Sequence, residues 1–167
     1  CFDTTFHRHM PPVAQHYALP HELWDKGVRR YGFHGLSYES IMDTLRRVDP
    51  AAAGGRVIIA HLGNGASMAA VHRGIGVDTT MGLTPLEGVM MGTRSGSVDP
   101  AIIGHISGAL GKPADQILDA LNKKSGLLGV SGLSNDMRTI EAAAADGHER
   151  ARLAFDVSRE YCDMRKA

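Results

Sequence analysis

The sequence lacks an excess of charge of either sign: lysine plus arginine number 18, aspartate plus glutamate 18, and the formal net charge is zero. A chain attracted to nucleic acid or to an acidic membrane surface by bulk electrostatics carries a basic excess, so neither partner is expected. No apolar run approaches the length that crosses a bilayer, since the longest are broken by Gly or His. Cysteine is scarce. Cys1 and Cys162 lie at the ends without metal-ligand spacing, which suggests neither a disulfide framework nor a zinc site and leaves a reducing cytoplasm as the expected compartment. No Gly-Lys-Ser/Thr follows a glycine loop, and no dinucleotide fingerprint is present. The first residue is Cys1, not Met, with no secretory or transit pattern before the fold, so the chain is expected to start inside a longer protein.

What is present is ordinary globular composition, 43% hydrophobic and 22% charged, enriched in two residues. Glycine reaches 20, above the usual share of about 7%, and histidine reaches 9. The opening Cys1 to Phe6 alternates like a strand running into a loop. Met10-Pro11-Pro12 must leave helix and strand. Ile41, Leu45 and Val48 are spaced for the inner face of a helix, with Arg46 and Arg47 turned outward, and Asp49-Pro50 with Gly54-Gly55 ends it. Val57 to Ala60 reads as a buried strand, Ser67 to Val71 as its return, and Ile75 to Thr80 as a third strand: a β-meander around an Asn-Gly turn. Beyond Gly96 the pattern is helical. Pro100 and Pro113 open two helices, Ser134 is placed to cap a third through Ile140, and a last helix carries Ala151, Ala154, Phe155, Ser158 and Tyr161 on one face. Strands first and helices after, with no repeat or linker, predict one α/β domain over 1–167, or the greater part of one, with no internal boundary.

Four places can carry chemistry. Gly63-Asn64-Gly65 offers backbone amides at a tight turn, suited to an anion such as phosphate, or is an ordinary hairpin turn. In Gly92-Thr93-Arg94-Ser95-Gly96 an arginine between small residues can swing a planar fork onto a phosphoryl or carboxylate oxygen, or is a solvated loop residue. His34, between Phe33 and Gly35, can donate to an oxyanion or be a packed histidine. Asp3 is a metal-facing carboxylate or a cap. His7 and His9 can share one side of a strand, but Pro11 and Pro12 argue for a loop and against a metal pair. His61 joins the buried strand to the glycine turn and is read as orienting that loop.

Six blocks together resemble the acetate kinase family. They are Phe2 to His7 with Met10-Pro11; Tyr17 to Pro20; Arg29 to Gly35; His61 to Ser67; Asp78 to Gly88; and Met91 to Gly96 followed by Asp99-Pro100-Ala101. The resemblance spans roughly residues 1 to 160, well under half of a family member. It implies an α/β ribonuclease H-like domain of the actin-like ATPase superfamily, here incomplete, as the central and carboxyl-terminal-domain portion of a homodimeric enzyme. The implied reaction is reversible transfer of the ATP γ-phosphoryl group to acetate, giving acetyl phosphate and ADP, with Mg²⁺. By the family's motifs Asp3 helps place the metal or the acetate, and His34 and Arg94 hold the phosphoryl group. His61, Leu62, Gly63, Asn64 and Gly65 line the phosphate loop. Propionate or butyrate is the alternative acceptor, and a non-enzymatic remnant able only to pair with a full-length subunit is the contrasting reading. The chain departs from the family at Leu36, Tyr38 and Ser97, where Thr, His and Asp are usual, and in its last residues, 161–167. With the amino-terminal domain, the later adenosine motif and a carboxyl-terminal Glu absent, the piece is expected to be inactive alone.

Overall fold

A computed structural model describes residues 2–163. The chain gathers into two compact units, one of residues 1–62 and 67–88, the other of 63–66 and 89–167.

In the first unit a short 3₁₀ turn, Thr5–His7, leads to two brief helices, α1 (Pro12–Gln15) and α2 (His21–Asp25). The long helix α3 (Gly35–Val48) and a single turn, α4 (Pro50–Ala53), follow. The meander is β1 (Arg56–Leu62), β2 (Ala66–His72) and β3 (Ile75–Thr79), in the order β1-β2-β3. A three-residue connection between β1 and β2 returns the chain antiparallel, and β2 pairs antiparallel with β3 through Ala69–Thr79 and Ala70–Asp78, with a register shift at Ala70/Val71. One core joins α3 to the sheet: Tyr38, Met42, Ala53, Ile59, Ala69 and Val71 are buried, with Phe6, Leu45 and Val57 packed against them.

Several expectations are corrected here. The opening segment is a turn, not a strand, because its amides find local acceptors: Thr5 N–H bonds Phe2 O at 3.0 Å and His7 N–H bonds Thr4 O at 3.1 Å. Cys1 lies outside the described residues. Pro12 opens α1, since the first helical position needs no amide donor. The inner face of α3 is Tyr38, Met42 and Leu45, whereas Ile41 is exposed and Val48 is 73% exposed. β1 is an edge strand in which only Ile59 is buried and Ile58 is 54% exposed.

The second unit is helical: α5 (Ala101–Leu110), α6 (Ala114–Lys123), α7 (Gly126–Ser131), α8 (Met137–Ala145) and α9 (Glu149–Asp163). Its core is Met90, Leu127, Ile140, Ala151 and Ala154, with Phe155 and Tyr161 packed alongside, so α9 presents the face its sequence pattern indicates. Pro100 and Pro113 stand just before α5 and α6 as expected. The cap of α8 is Asp136, not Ser134. The Asp136 carboxylate accepts the Arg138 amide at 2.9 Å, while Ser134 Oγ accepts the Asp136 amide. Among the described residues no helix is long and apolar enough to cross a membrane.

Candidate functional site

In the first unit the expected residues Asp3, His34 and His61 come together around the amino end of α3. His34 is the residue before the helix and adopts φ 59°, ψ 23°, a left-handed conformation that costs a residue with a Cβ about 1–2 kcal/mol. Two bonds from one residue hold it there. Asp3 Oδ2 accepts the His34 amide at 2.6 Å, and Asp3 O accepts the Gly35 amide at 2.9 Å. Gly35 lies so close to that carbonyl that a Cβ would collide with it, so the approach requires glycine. Asp3 Oδ1 faces the Leu36 amide at 3.5 Å. The carboxylate thus sits on the amino end of α3, where the helix dipole favours negative charge. Of the two readings open for Asp3, the cap is the one made by these bonds.

The His34 ring is fixed as firmly as its backbone. Nδ1 is bonded to Ser67 Oγ at 2.8 Å, and Ser67 Oγ is bonded to the Tyr38 hydroxyl; both partners are 0% exposed. The other face stacks on His61, centroids 4.1 Å apart and planes 26° from parallel. His61 Nδ1 is bonded to Ser37 Oγ at 3.0 Å. Leu62 ends β1 exposed.

His7 and His9 are not brought together. His7 is buried and donates Nε2–H to Phe33 O at 3.0 Å, whereas His9 is exposed and accepts from Arg8 Nε. Burial holds the His7 pKa below its ordinary value of 6.5, against the opposing pull of the Phe33 carbonyl and of Asp3.

Sequence reasoning passed over a second cluster in the same unit. Tyr17 donates to Glu87 Oε2 at 2.5 Å and accepts the Leu83 amide, while Arg30 donates to Glu87 Oε1 at 2.9 Å and to Thr80 O and Met81 O. Burial and the bond to Glu87 push the Tyr17 hydroxyl up to about 12. These contacts pin the segment 80–88, and no local pattern announces them.

In the second unit the glycine loop and the arginine loop meet. Asn64 O accepts the Gly92 amide at 3.0 Å, and Asn64 Oδ1 accepts from Asn135 Nδ2 at 2.8 Å. Gly63 N–H is taken by Gly65 O at 3.2 Å, so one of the loop amides expected for an anion is used within the loop. The segment carrying Arg94 is not a loose turn. Met91 N–H bonds Arg94 O, Ser95 N–H bonds Leu121 O, and Thr93 O accepts the Ser125 amide. Thr93 Oγ1 adds a bond to Asn122 O. Arg94 Nη1 approaches Met91 Sδ at 3.6 Å.

The acetokinase family model matches residues 1–163. The chain belongs to the acetokinase family. Acetate kinase 1 of Neisseria meningitidis is 56% identical over 158 residues, 93% of this chain and 40% of that protein. The crystal structure of Porphyromonas gingivalis acetate kinase superposes with a TM-score of 0.89 at 47% identity, over 94% of this chain and 40% of its own. A propionate kinase from Francisella tularensis gives 0.89 at 46%, over 94% and 41%. The chain therefore spans about 40% of the length of these relatives, and its mixed α/β fold is the acetokinase one. Tyr38 is the buried partner of Ser67 behind the His34 ring.

Proposed function

We propose that this segment supplies the central part of a phosphoryl-transfer site, in an enzyme that moves the ATP γ-phosphoryl group reversibly to acetate. The observation that carries this reading is the way His34 is held. A strained backbone position is fixed by Asp3 and the ring is fixed by Ser67 and His61, in a chain of the acetokinase family. Phosphoryl transfer spreads charge over three equatorial oxygens, so rigid donors aimed at those oxygens do most of the work. His34 supplies one N–H and Arg94 a planar fork on an anchored loop. The 62–65 turn, with His61 beside it, supplies the phosphate side. Acetate is ionised near neutral pH and attacks without a general base, so His34 acts as a donor. Asp3 acts by setting the His34 backbone.

Mg²⁺ belongs to this reading only as a companion of the nucleotide, since it is commonly held by one or two carboxylates plus substrate phosphates. Asp3 is the carboxylate at the site, and its Oδ2 is engaged by the His34 amide. Among the described residues no group of three His, Cys, Asp or Glu could hold a metal. These residues do not fit a resident ion, and no step here runs through one. A homodimeric, cytoplasmic parent enzyme is part of the same proposal and rests on the family resemblance.

A propionate-using parent is the second reading, favoured by the near-equal similarity to the Francisella propionate kinase. The test is a chimera in which residues 1–163 replace the matching segment of the Neisseria relative. Acetyl phosphate formation from ATP and acetate, trapped as the hydroxamate, is expected well above a no-enzyme control and is expected to be lost in His34→Ala. A folded chimera that is inactive with acetate and with propionate overturns the proposal.

A further inference from the structure

We propose that Tyr38 and Ser67 are positioning residues that set the tautomer of His34, with Tyr38 donating to Ser67, Ser67 donating to Nδ1, and the ring proton left on Nε2. The inference deepens the reading of His34 as a donor and rests on it.

The argument is a count of protons. The neutral ring, the serine and the phenol each carry one hydrogen, and two bonds link them: Nδ1 to Ser67 Oγ, and Ser67 Oγ to the Tyr38 hydroxyl. The bonds can run in either direction. If Nδ1–H donated to Ser67, two arrangements would remain. Either the serine hydrogen would point to Tyr38 and the phenol hydrogen would need another acceptor, or Tyr38 would also donate to Ser67 and the serine hydrogen would need one. Among the described residues Ser67 Oγ bonds only Nδ1 and Tyr38. Among the described residues the Tyr38 hydroxyl bonds only Ser67, and its ring packs between Phe6 and His7 at 0% exposure. Buried hydroxyls are very seldom left without an acceptor. The chain of donors therefore starts at Tyr38 and ends at Nδ1, which must accept. Burial pushes the Tyr38 hydroxyl up to about 12, with the Ser67 bond pulling the other way, so the phenol keeps the hydrogen it donates. A ring whose Nδ1 accepts carries its hydrogen on Nε2. Stacking on His61 then holds the ring plane, so Nε2–H points in one direction.

The two hydroxyls thus fix the tautomer of His34, as a buried carboxylate or carbonyl at Nδ1 does for histidines that must present a bare Nε2. A serine alone could donate or accept, and Tyr38 behind it removes that choice.

The test is a two-bond ¹H–¹⁵N correlation spectrum of the full chain labelled at histidine nitrogen. It is recorded well above the unperturbed histidine pKa of about 6.5, with His34 assigned by His34→Gln. The expected wild-type result is a protonated Nε2 and a bare Nδ1 for His34. Ser67→Ala is expected to raise the Nδ1–H fraction several-fold, Tyr38→Phe to raise it in the same direction, and Ser67→Thr to restore the wild-type pattern. A wild-type spectrum with the proton on Nδ1 overturns the proposal, and so do Ser67→Ala and Tyr38→Phe spectra that match wild type. The wild-type spectrum decides the tautomer even where a variant fails to fold. It is read without turnover, so failure of this relay and failure of the kinase reading are separate results.

Discussion

Asp3 accepts the His34 amide through Oδ2 and the Gly35 amide through its carbonyl, so one residue both terminates α3 and sets the ring that precedes it. Removing the carboxylate removes a helix-end acceptor, which costs about 1 kcal/mol at such positions. Asp3→Ala is therefore expected to lower the unfolding free energy from urea titration by that order, and Asp3→Asn, which keeps an acceptor oxygen, by less. Equal losses for the two would show that charge, not the hydrogen bond, holds the helix end. Arg94 answers a different question, because its backbone is clamped by Met91 N–H and its neighbours by Leu121 and Ser125. A fork on an anchored loop is pre-positioned for a charge that grows during transfer. In the chimera Arg94→Leu is expected to lower kcat about 10²–10³-fold and to change the KM for ATP far less. A near-normal kcat would return Arg94 to the role of a loop arginine.

At the level of elements, the meander was legible because the short apolar run Val57 to Ala60 in β1 is followed by an Asn-Gly turn and a return strand. The starts of α5 and α6 were legible from proline and the face of α9 from spacing. The inner face of α3 was not, because Ile41 and Val48 outrank Tyr38 and Met42 in apolarity while packing against the sheet selects the latter. The single-turn helices α1 and α4 are too short to carry a period. Within the site, sequence blocks pointed to Asp3, His34 and His61, but Ser67 lies 33 residues from His34 and 29 from Tyr38, a separation that leaves no local signal. The meeting of the 63–65 and 91–96 loops was equally silent. It depends on Gly92, where a Cβ would collide with Asn64 Oδ1 and approach Asn135 O at 3.1 Å. Gly92→Ala is expected to destabilise the chain by about 1–3 kcal/mol, the usual cost of overpacking. The penalty should shrink in an Asn64→Ala background, and additive losses in the double mutant would deny the contact.

On the scale of the whole molecule, each unit has a core of its own, and the first places a histidine inside it. His7 is 2% exposed, touches Phe6 and Tyr38 edge-on, and donates Nε2–H to Phe33 O. Because a carbonyl can only accept, Nδ1 is the bare nitrogen, and it is buried with no hydrogen-bond partner among the described residues. Protonating it would place a charge in a buried site and an N–H without an acceptor among the described residues, and this burial lowers the pKa below 6.5 although the Phe33 carbonyl and Asp3 favour the charged form. The sign follows from linkage. Below pH 6.5 the unfolded chain takes up a proton at His7 that the folded chain refuses, so stability is fully present above 6.5 and is lost as pH falls toward the lowered folded-state value. The slope from this one group can approach about 1.4 kcal/mol per pH unit in that window. Urea midpoints followed by circular dichroism from pH 7.5 downward should therefore fall below 6.5 in the wild-type chain. His7→Phe gives up the bond to Phe33 and should start less stable, yet its stability should decline less steeply over the same range. The slope is the decisive quantity, and a His7→Phe slope equal to wild type would assign the acid loss to other groups.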